Sequence, residues 1–316
     1  MILVVSYEGE EHTADVVQLL RQEGREVVQI DLGDFPVKSC LSMKWGEDAT
    51  PSYKVAQGGG AAELSRARVG WWRRVRPFAV DPAIQNEHDQ AFVQSETSQA
   101  VNGMLDAIGC PWVNPREADA AAHHKPYQWS VAQRVGLRVP RTLVTNQPEE
   151  AREFIARLGV GKVVFKAFLA SMQAWRETRL IEHSDLDRLA LVRYAPVIFQ
   201  EYIPGVDLRI TVIGDSIFAA EIDARQTSYP VDMRMVVGEA KVRPVELPPE
   251  LAVALLELQR RLQLVYGAID VRRTPEGEYY FLEVNPAGQW LFVEQRTGLP
   301  ITKAMAQCLA RLEDGT

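Results

Sequence analysis

The sequence predicts an α/β protein of two or three domains that opens on a parallel sheet and closes on antiparallel hairpins. Three observations carry this. Residues 1–35 read strand, helix, strand. Gly214 and Asp215 form a turn signal between two strand-like runs. A second hairpin, Tyr266 to Pro286, places a row of polar side chains on one face. At 316 residues the chain is long enough for a sizeable core.

The elements follow in order. Ile2–Val5 is a short β-rich run, Thr13–Gln22 a helix stopped at Gly24, and Val27–Ile30 a second strand. The first strand is not followed by GxGxxG, so a dinucleotide site is not supported. Residues 40–70 alternate weakly around Gly58, Gly59 and Gly60. Trp71 and Trp72 then run into Arg73, Arg74 and Arg76, which suit either a solvated basic strand end or a surface contacting an anion or peptide. Residues 87–109 look helical, and the stretch from Cys110 to Pro115 breaks the pattern and ends the first domain. One helix is expected over about 116–135; its adjacent His123 and His124 point in different directions and cannot share a metal face. Val139–Thr145 reads as a strand, Pro148–Leu158 as a helix, Lys162–Phe168 as a strand and Ser184–Val192 as a helix. Strands Asp207–Ile213 and Ser216–Asp223 follow. Leu251, Leu255, Leu258 and Leu262 give the helix Pro249–Leu264 a core stripe, and a last helix ends near Leu312.

Composition removes several classes. A net charge of −7 supplies no global field for nucleic acid, though a local basic patch stays open. Cys40, Cys110 and Cys308 are far apart and form no CxxC, which argues against a disulfide framework or zinc site and fits a reducing cytoplasm. Met1 to Glu8 reads as a strand and not a signal peptide, and no apolar stretch approaches a membrane span.

The C-terminal hairpin is the most informative segment. If its turn centres on Glu276 and Gly277, Asp270 lies opposite Glu283, with Cβ atoms roughly 5 Å apart, and Asn285 shares their face. Ile269, Val271, Tyr280, Leu282 and Val284 then form the buried face. Two facing carboxylates repel unless a cation lies between them, and hard oxygen donors of this kind suit Mg²⁺ completed by water and phosphate oxygens. Upstream, Lys125 lies on or beside a helix, and Lys166 sits in an apolar strand, where alone it fits a side chain reaching out to solvent. Gln200, Glu201, Tyr202 and Ile203 end a strand at a turn whose backbone can read an adenine edge. Asp207 and Arg209 share a strand face, suiting a ribose hydroxyl and a phosphate; as an isolated pair they read as a surface salt bridge. The ordered set points to a metal–nucleotide site.

That set resembles the ATP-grasp ligases. Asp270, followed by Glu283, Asn285 and Pro286, is similar to the family's metal motif, and Glu201–Arg209 resembles the nucleotide-binding segment of RimK-like members. The resemblance implies an ATP-grasp fold in three parts: a pre-ATP-grasp α/β domain (1–114), a middle lobe (115–195) and a C-terminal antiparallel-sheet lobe carrying the metal site (196–316). It also implies ATP and Mg²⁺, with two ions the expectation, and a reaction in which a carboxylate attacks the γ-phosphate and an amine or hydroxyl displaces phosphate from the acyl phosphate. Lys125, Lys166 and Arg209 would add positive charge there.

A narrower resemblance is to the graspetide, or microviridin-type, synthetases. Trp71–Arg74, Phe165–Phe168, Trp175–Thr178, residues 232–234 and the segment Asp31–Pro36 carry it. It implies ω-ester or ω-amide links made within a ribosomal precursor peptide of leader and core, by a homodimer. The chain has no glycine between Gly161 and Gly205, where many ATP-grasp enzymes carry a glycine-rich phosphate loop, and this fits the peptide-modifying branch. Met233 stands before Arg234 where tryptophan is expected. Arg225, with Arg74 and Arg234, is expected to steady the acyl phosphate or its tetrahedral intermediate; the alternative for Arg225 is a surface arginine. Glu182, Asp185 and Asp187 open a helix, where acidic residues are favoured anyway, and on the resemblance they offer a leader dock. A RimK-like ligase adding amino acids to an acceptor, and a non-catalytic nucleotide-binding regulator, are the alternatives.

Overall fold

The computed structural model describes residues 1–46, 51–168, 178–229, 231–232, 235–236 and 238–315. Among the described residues, four sheets order the chain. The N-terminal part contains β1 (Ile2–Val5), α1 (Glu11–Gln22), β2 (Val27–Ile30), β3 (Ser39–Lys44), β4 (Ser52–Gln57), β5 (Gly60–Glu63), β6 (Val69–Trp72), α2 (Glu87–Ala107) and β7 (Trp112–Val113). The parallel sheet runs β2-β1-β6-β7, and β3-β4-β5 form a separate antiparallel sheet. Apolar β1 is buried on both faces: Val16, Val17 and Leu20 of α1 pack with Ile2 and Val4, and Val101, Met104 and Leu105 of α2 with Leu3 and Val5.

Two helices, α3 (Arg116–Ala122) and α4 (Lys125–Arg134), stand where one was expected. Pro126 explains the break: it lacks an N–H, so it is tolerated only in the first turn of a new helix. The middle sheet, order β10-β9-β11-β8, contains β8 (Thr142–Thr145), β9 (Val163–Lys166), β10 (Arg179–Leu180) and β11 (Val197–Glu201), with α5 (Pro148–Leu158) packed on it. The helix expected over Ser184–Val192 is instead the short α6 (His183–Leu186) followed by a 3₁₀ segment, Leu189–Tyr194. Leu186, Leu189 and Val192 pack into the core at intervals of three, which matches the 3₁₀ period and not 3.6.

The C-terminal sheet, order β14-β13-β12-β15-β16, contains β12 (Val206–Ile213), β13 (Ser216–Asp223), β14 (Lys241–Pro244), β15 (Tyr266–Arg273) and β16 (Tyr279–Asn285). Its back face packs on the leucine stripe of α7 (Pro249–Arg261). Part of its front face, Ile213, Ala220, Tyr266 and Ala268, joins one core with α1, Trp71, α8 (Leu291–Thr297) and α9 (Ile301–Asp314). The polar row of the hairpin therefore stands where this core ends.

Asp270 does face Glu283, but by a different route. Next to the turn Arg273 pairs with Tyr279, Arg272 with Tyr280 and Val271 with Phe281, one step off the expected register. A bulge at Leu282 then restores the pairing. Phe281, not Tyr280 or Leu282, fills the core beside Ile269, Val271 and Val284. Leu282 turns into the cleft described below.

The chain crosses from β11 to β12 through Pro204 and Gly205. Gly205 has φ +146°, and a Cβ there would lie 2.0 Å from the Arg273 carbonyl oxygen. Gly205→Ala is expected to cost about 2 kcal/mol or more, read as a lower Tm, because neither backbone can give way.

Candidate active site

A cleft opens between the middle and C-terminal sheets, lined by Lys125, Lys166, Gln200, Glu201, Tyr202, Ile203, Asp207, Asp270 and Glu283. Sequence reasoning named all of these. It missed Leu282, Arg272 and Val231, which also line the cleft. Arg272 had a signal: it follows Asp270 by two on one strand.

The floor of the cleft is a row of charges across three strands. Arg209 pairs in register with Asp270, and Asp270 with Glu283. Arg209 Nη1 donates to Asp270 Oδ1 at 2.7 Å, and Lys125 Nζ is ion-paired with Glu283. The order is cation, carboxylate, carboxylate, cation. Lys125 reaches Glu283 because the break at Pro126 puts it at the start of α4. The same helix covers the free edge of β16: Gln128 exchanges two hydrogen bonds with the Val284 backbone (2.8 and 2.9 Å), and Trp129 Nε1 donates to the Leu282 carbonyl at 2.8 Å.

Asp207 and Arg209 do not pair with each other. Asp207 accepts from Arg272 Nη1 at 3.1 Å. Burial pushes the Asp207 carboxyl up to about 6 in spite of that guanidinium. Lys166 Nζ donates to Gln200 Oε1 at 2.8 Å, inside the cleft and not out to solvent. Glu201 is engaged by Arg141 Nη2 at 2.7 Å. Asn285, exposed, accepts from the Ala287 N–H at 3.0 Å. Asp232 is buried at the cleft wall and accepts from the Thr178 N–H at 3.1 Å, while Tyr229 donates to the Thr178 carbonyl at 3.0 Å.

Other expected residues stand elsewhere. Arg225 is exposed in a turn beyond β13, where it pairs with Asp223 at 2.8 Å and lines a different hollow with Gly205 and Arg273. Arg234, Met233 and the segment 169–177 lie outside the described residues. Asp185 accepts from the Glu182 N–H and pairs with Arg179 at 2.7 Å, which holds its carboxyl below the ordinary range; Glu182 and Asp187 are exposed. The basic strand end is not uniformly solvated. Arg73 is 1% exposed and paired with Glu10 at 3.1 Å, while Arg74 is half-buried with Nε donating to the Ala287 carbonyl at 3.2 Å.

Asn114, read only as a domain end, bridges the junction. Its amide donates to the Tyr266 and Pro286 carbonyls and accepts from the Val265 and Tyr266 N–H groups.

Among the described residues no three His, Cys, Asp or Glu side chains gather as a metal site. The candidate donors are two facing carboxylates and the Asn285 amide. That all-oxygen set fits Mg²⁺, which takes one or two carboxylates and fills its shell with water and phosphate oxygens.

Comparison with known proteins decides the family. Residues 122–309 match the RimK-like ATP-grasp domain. The chain belongs to the RimK-like ATP-grasp family. It is therefore an ATP-dependent ligase by family and by fold. Residues 1–120 match the MvdD pre-ATP grasp domain. Macrocyclase MdnC from Microcystis aeruginosa MRC, bound with precursor peptide MdnA, is 28% identical with TM-score 0.87, covering 98% of this chain and 99% of that one. A Chryseobacterium gregarium RiPP-associated ATP-grasp ligase, in complex with ADP and a leader and core peptide, is 25% identical with TM-score 0.88, covering 100% and 97%. ATP-grasp ligase PsnB, complexed with minimal precursor, Mg and ADP, is 26% identical with TM-score 0.79, covering 99% and 97%. Ribosomal protein bS6–L-glutamate ligase of Escherichia coli O81 (strain ED1a) is 26% identical over 214 residues, 66% of this chain and 70% of that protein. No helix among the described residues is long and apolar enough to cross a membrane.

The buried His12 gives a pH test. Its Nε2 accepts from the Trp290 and Leu291 N–H groups, and Nδ1 faces Glu10 Oε1 at 2.9 Å. Burial pushes the imidazole below its ordinary value, against the upward pull of Glu10 and with a further downward push from Arg73. A proton therefore binds the unfolded chain more readily, so this stability is complete above about pH 6.5 and is lost as pH falls below it. His12→Gln, whose amide oxygen can accept without titrating, is expected to show a flatter Tm-versus-pH curve across that window; a slope equal to the parent's would contradict this.

Proposed function

We propose that the chain macrocyclises a ribosomally made precursor peptide. An Asp or Glu side chain of the core attacks the γ-phosphorus of ATP and ADP leaves. A Ser or Thr hydroxyl or a Lys amine then attacks the acyl carbonyl, phosphate departs, and the nucleophile's proton is lost to solvent or base. The product is an ω-ester or ω-amide. The observation that carries this reading is coverage. Residues 1–120 match the MvdD pre-ATP grasp domain, and the peptide-bound relatives cover 98% and 100% of the chain at TM-scores of 0.87 and 0.88.

In this reading Asp270, Glu283 and Asn285 would hold Mg²⁺, two ions being the expectation, and the metal would supply charge neutralisation for the transferring phosphoryl group. Lys125, Lys166 and Arg209 meet phosphate oxygens, Gln200–Ile203 read the adenine edge, and Asp207 takes a ribose hydroxyl. Arg74, Arg225 and Arg234 steady the acyl phosphate; for Arg225 that requires leaving Asp223, its partner at 2.8 Å. The segment carrying Glu182, Asp185 and Asp187 docks a leader with basic residues. The three parts divide at 114/115 and 195/196, and the enzyme works as a cytoplasmic homodimer.

The RimK-like match and the bS6 ligase favour a second reading, addition of amino acids to an acceptor. The complete donor row weighs against a non-catalytic regulator, which needs no charge-balanced pair of facing carboxylates.

Incubation with ATP, Mg²⁺ and a precursor encoded beside the gene should remove the mass of one water per ring; a mass gain would favour amino-acid addition. Asp270→Asn or Glu283→Gln should lower turnover by about two orders of magnitude or more with any acceptor, and near-normal rates would overturn the site. Charge reversal at Asp185 and Asp187 is expected to weaken leader binding about tenfold, measured by titration of labelled leader.

A further inference from the structure

In the loop that follows β16, four successive carbonyls and the N–H groups of Trp290 and Leu291 each have a partner. The Pro286 carbonyl accepts from Asn114, that of Ala287 from Arg74, that of Gly288 from Arg73 and Tyr266, and that of Gln289 from Arg209. The Trp290 and Leu291 N–H groups both donate to His12 Nε2, at 3.1 and 3.3 Å. A Cβ at Gly288 would lie 2.4 Å from Ala268 Cβ, so the loop lies directly on the sheet.

The partners Glu10, His12 and Arg73 come from the N-terminal part of the chain, 215 to 278 residues away in sequence for the direct contacts of Arg73 with Gly288 and His12 with Trp290. Glu10 precedes α1 after β1, and Arg73 directly follows β6. These are the carboxyl ends of neighbouring parallel strands, and the chain leaves them toward opposite faces, with α1 in one core and α2 in the other. Open α/β sheets bind ligands in that crevice. Here it holds the protein's own Gly288.

We propose that Glu10, His12 and Arg73 are positioning residues that fix the Asp270/Arg209 end of the charge row through the loop 286–291. The inference rests on the reading of Asp270, Glu283 and Asn285 as the Mg²⁺ set. Arg73 uses its fork in two directions: Nε and Nη2 face Glu10 at 3.1 and 3.4 Å, while Nη1 and Nη2 face the Gly288 carbonyl at 3.3 and 3.4 Å. Its guanidinium lies 4.5 Å from the Trp290 ring centroid. A lysine offers no such planar fork. His12 Nε2 accepts two backbone hydrogens, so its proton sits on Nδ1 and is donated to Glu10. From Gly288 the chain passes to Gln289, whose carbonyl accepts from Arg209 Nη2 at 3.2 Å, and Arg209 Nη1 holds Asp270. Buried charges of this kind add little net stability compared with apolar packing, so their use in placing one loop is the stronger account.

The test is ADP binding to the full-length protein, measured calorimetrically as Mg²⁺ is titrated. Arg73→Met and His12→Leu are expected to raise the Mg²⁺ needed for half-maximal enhancement of ADP binding about tenfold, with metal-free ADP binding unchanged. Arg73→Lys keeps the buried charge and the fold and should shift the midpoint in the same direction. His12→Gln should recover to within about threefold of the parent. Glu313→Gln is the stability control: it weakens the contacts of Glu313 with the Met1 amino group (2.6 Å) and Arg25 (2.7 Å), remote from the loop. It should lower Tm and leave the Mg²⁺ midpoint in place. A parental midpoint in Arg73→Lys and His12→Leu, or an equal shift in Glu313→Gln, overturns the inference. Absence of any Mg²⁺ effect on ADP binding in the parent sinks the metal reading instead.

Discussion

Two carboxylates facing each other across β15 and β16 set the terms for the rest of the cleft. At about 5 Å and an effective dielectric of about 20, two like charges cost about 3 kcal/mol. The chain offsets this from within, with Arg209 on one side and Lys125 on the other. Each cation imposes a demand. Lys125 has to begin a helix, which Pro126 arranges, and that helix has to lie along the β16 edge, which Gln128 and Trp129 secure. Arg209 has to be fixed at its other end, which the Gln289 carbonyl provides. In the proposed reaction the same two cations meet phosphate, so the charges that keep the row together and those that receive the substrate are shared.

Alternation along a strand was legible because one face of the C-terminal sheet is apolar and packed on α7. The facing of Asp270 and Glu283 was read correctly even though the turn sits one step off, because the bulge at Leu282 returns the register where the carboxylates stand. Nothing in the residue pattern marks that bulge; Phe281 and Leu282 are equally apolar, and which one is buried depends on pairing and not composition. The missed helix break is different. Pro126 is visible in the sequence, and its place in the first turn of α4 is what a proline prefers. The 3₁₀ segment was also visible in principle, as apolar spacing of three and not three or four.

Long-range polar contacts were the illegible part. Asn114 is 151 residues from Val265, and His12 is 278 from Trp290. Such separations leave no local trace, and a buried arginine reads in sequence like any other. Arg73 and Arg74 are neighbours with different surroundings: one is sealed against Glu10 and Trp290, the other half-buried at Ala287. The positive φ of Arg74, 46°, separates their directions. The N-terminal sheet thus enters the centre of the molecule through the ends of its strands.

The cleft itself is closed by contacts of a different strength. Asp232 and Tyr229, on the loop after β13, take the N–H and carbonyl of Thr178 in the middle part. Neutral and charge-assisted hydrogen bonds of this kind contribute about 0.5–3 kcal/mol each, net. The turn at Pro204 and Gly205, by contrast, is fixed by close backbone packing against Arg273 and Thr274. The two edges of the cleft are therefore held by different means, hydrogen bonding at Thr178 and close backbone packing at Gly205. In the proposed reaction the nucleotide lies beside Gln200–Ile203, next to the Gly205 turn, where backbone packing and not side-chain contact holds the two sheets together.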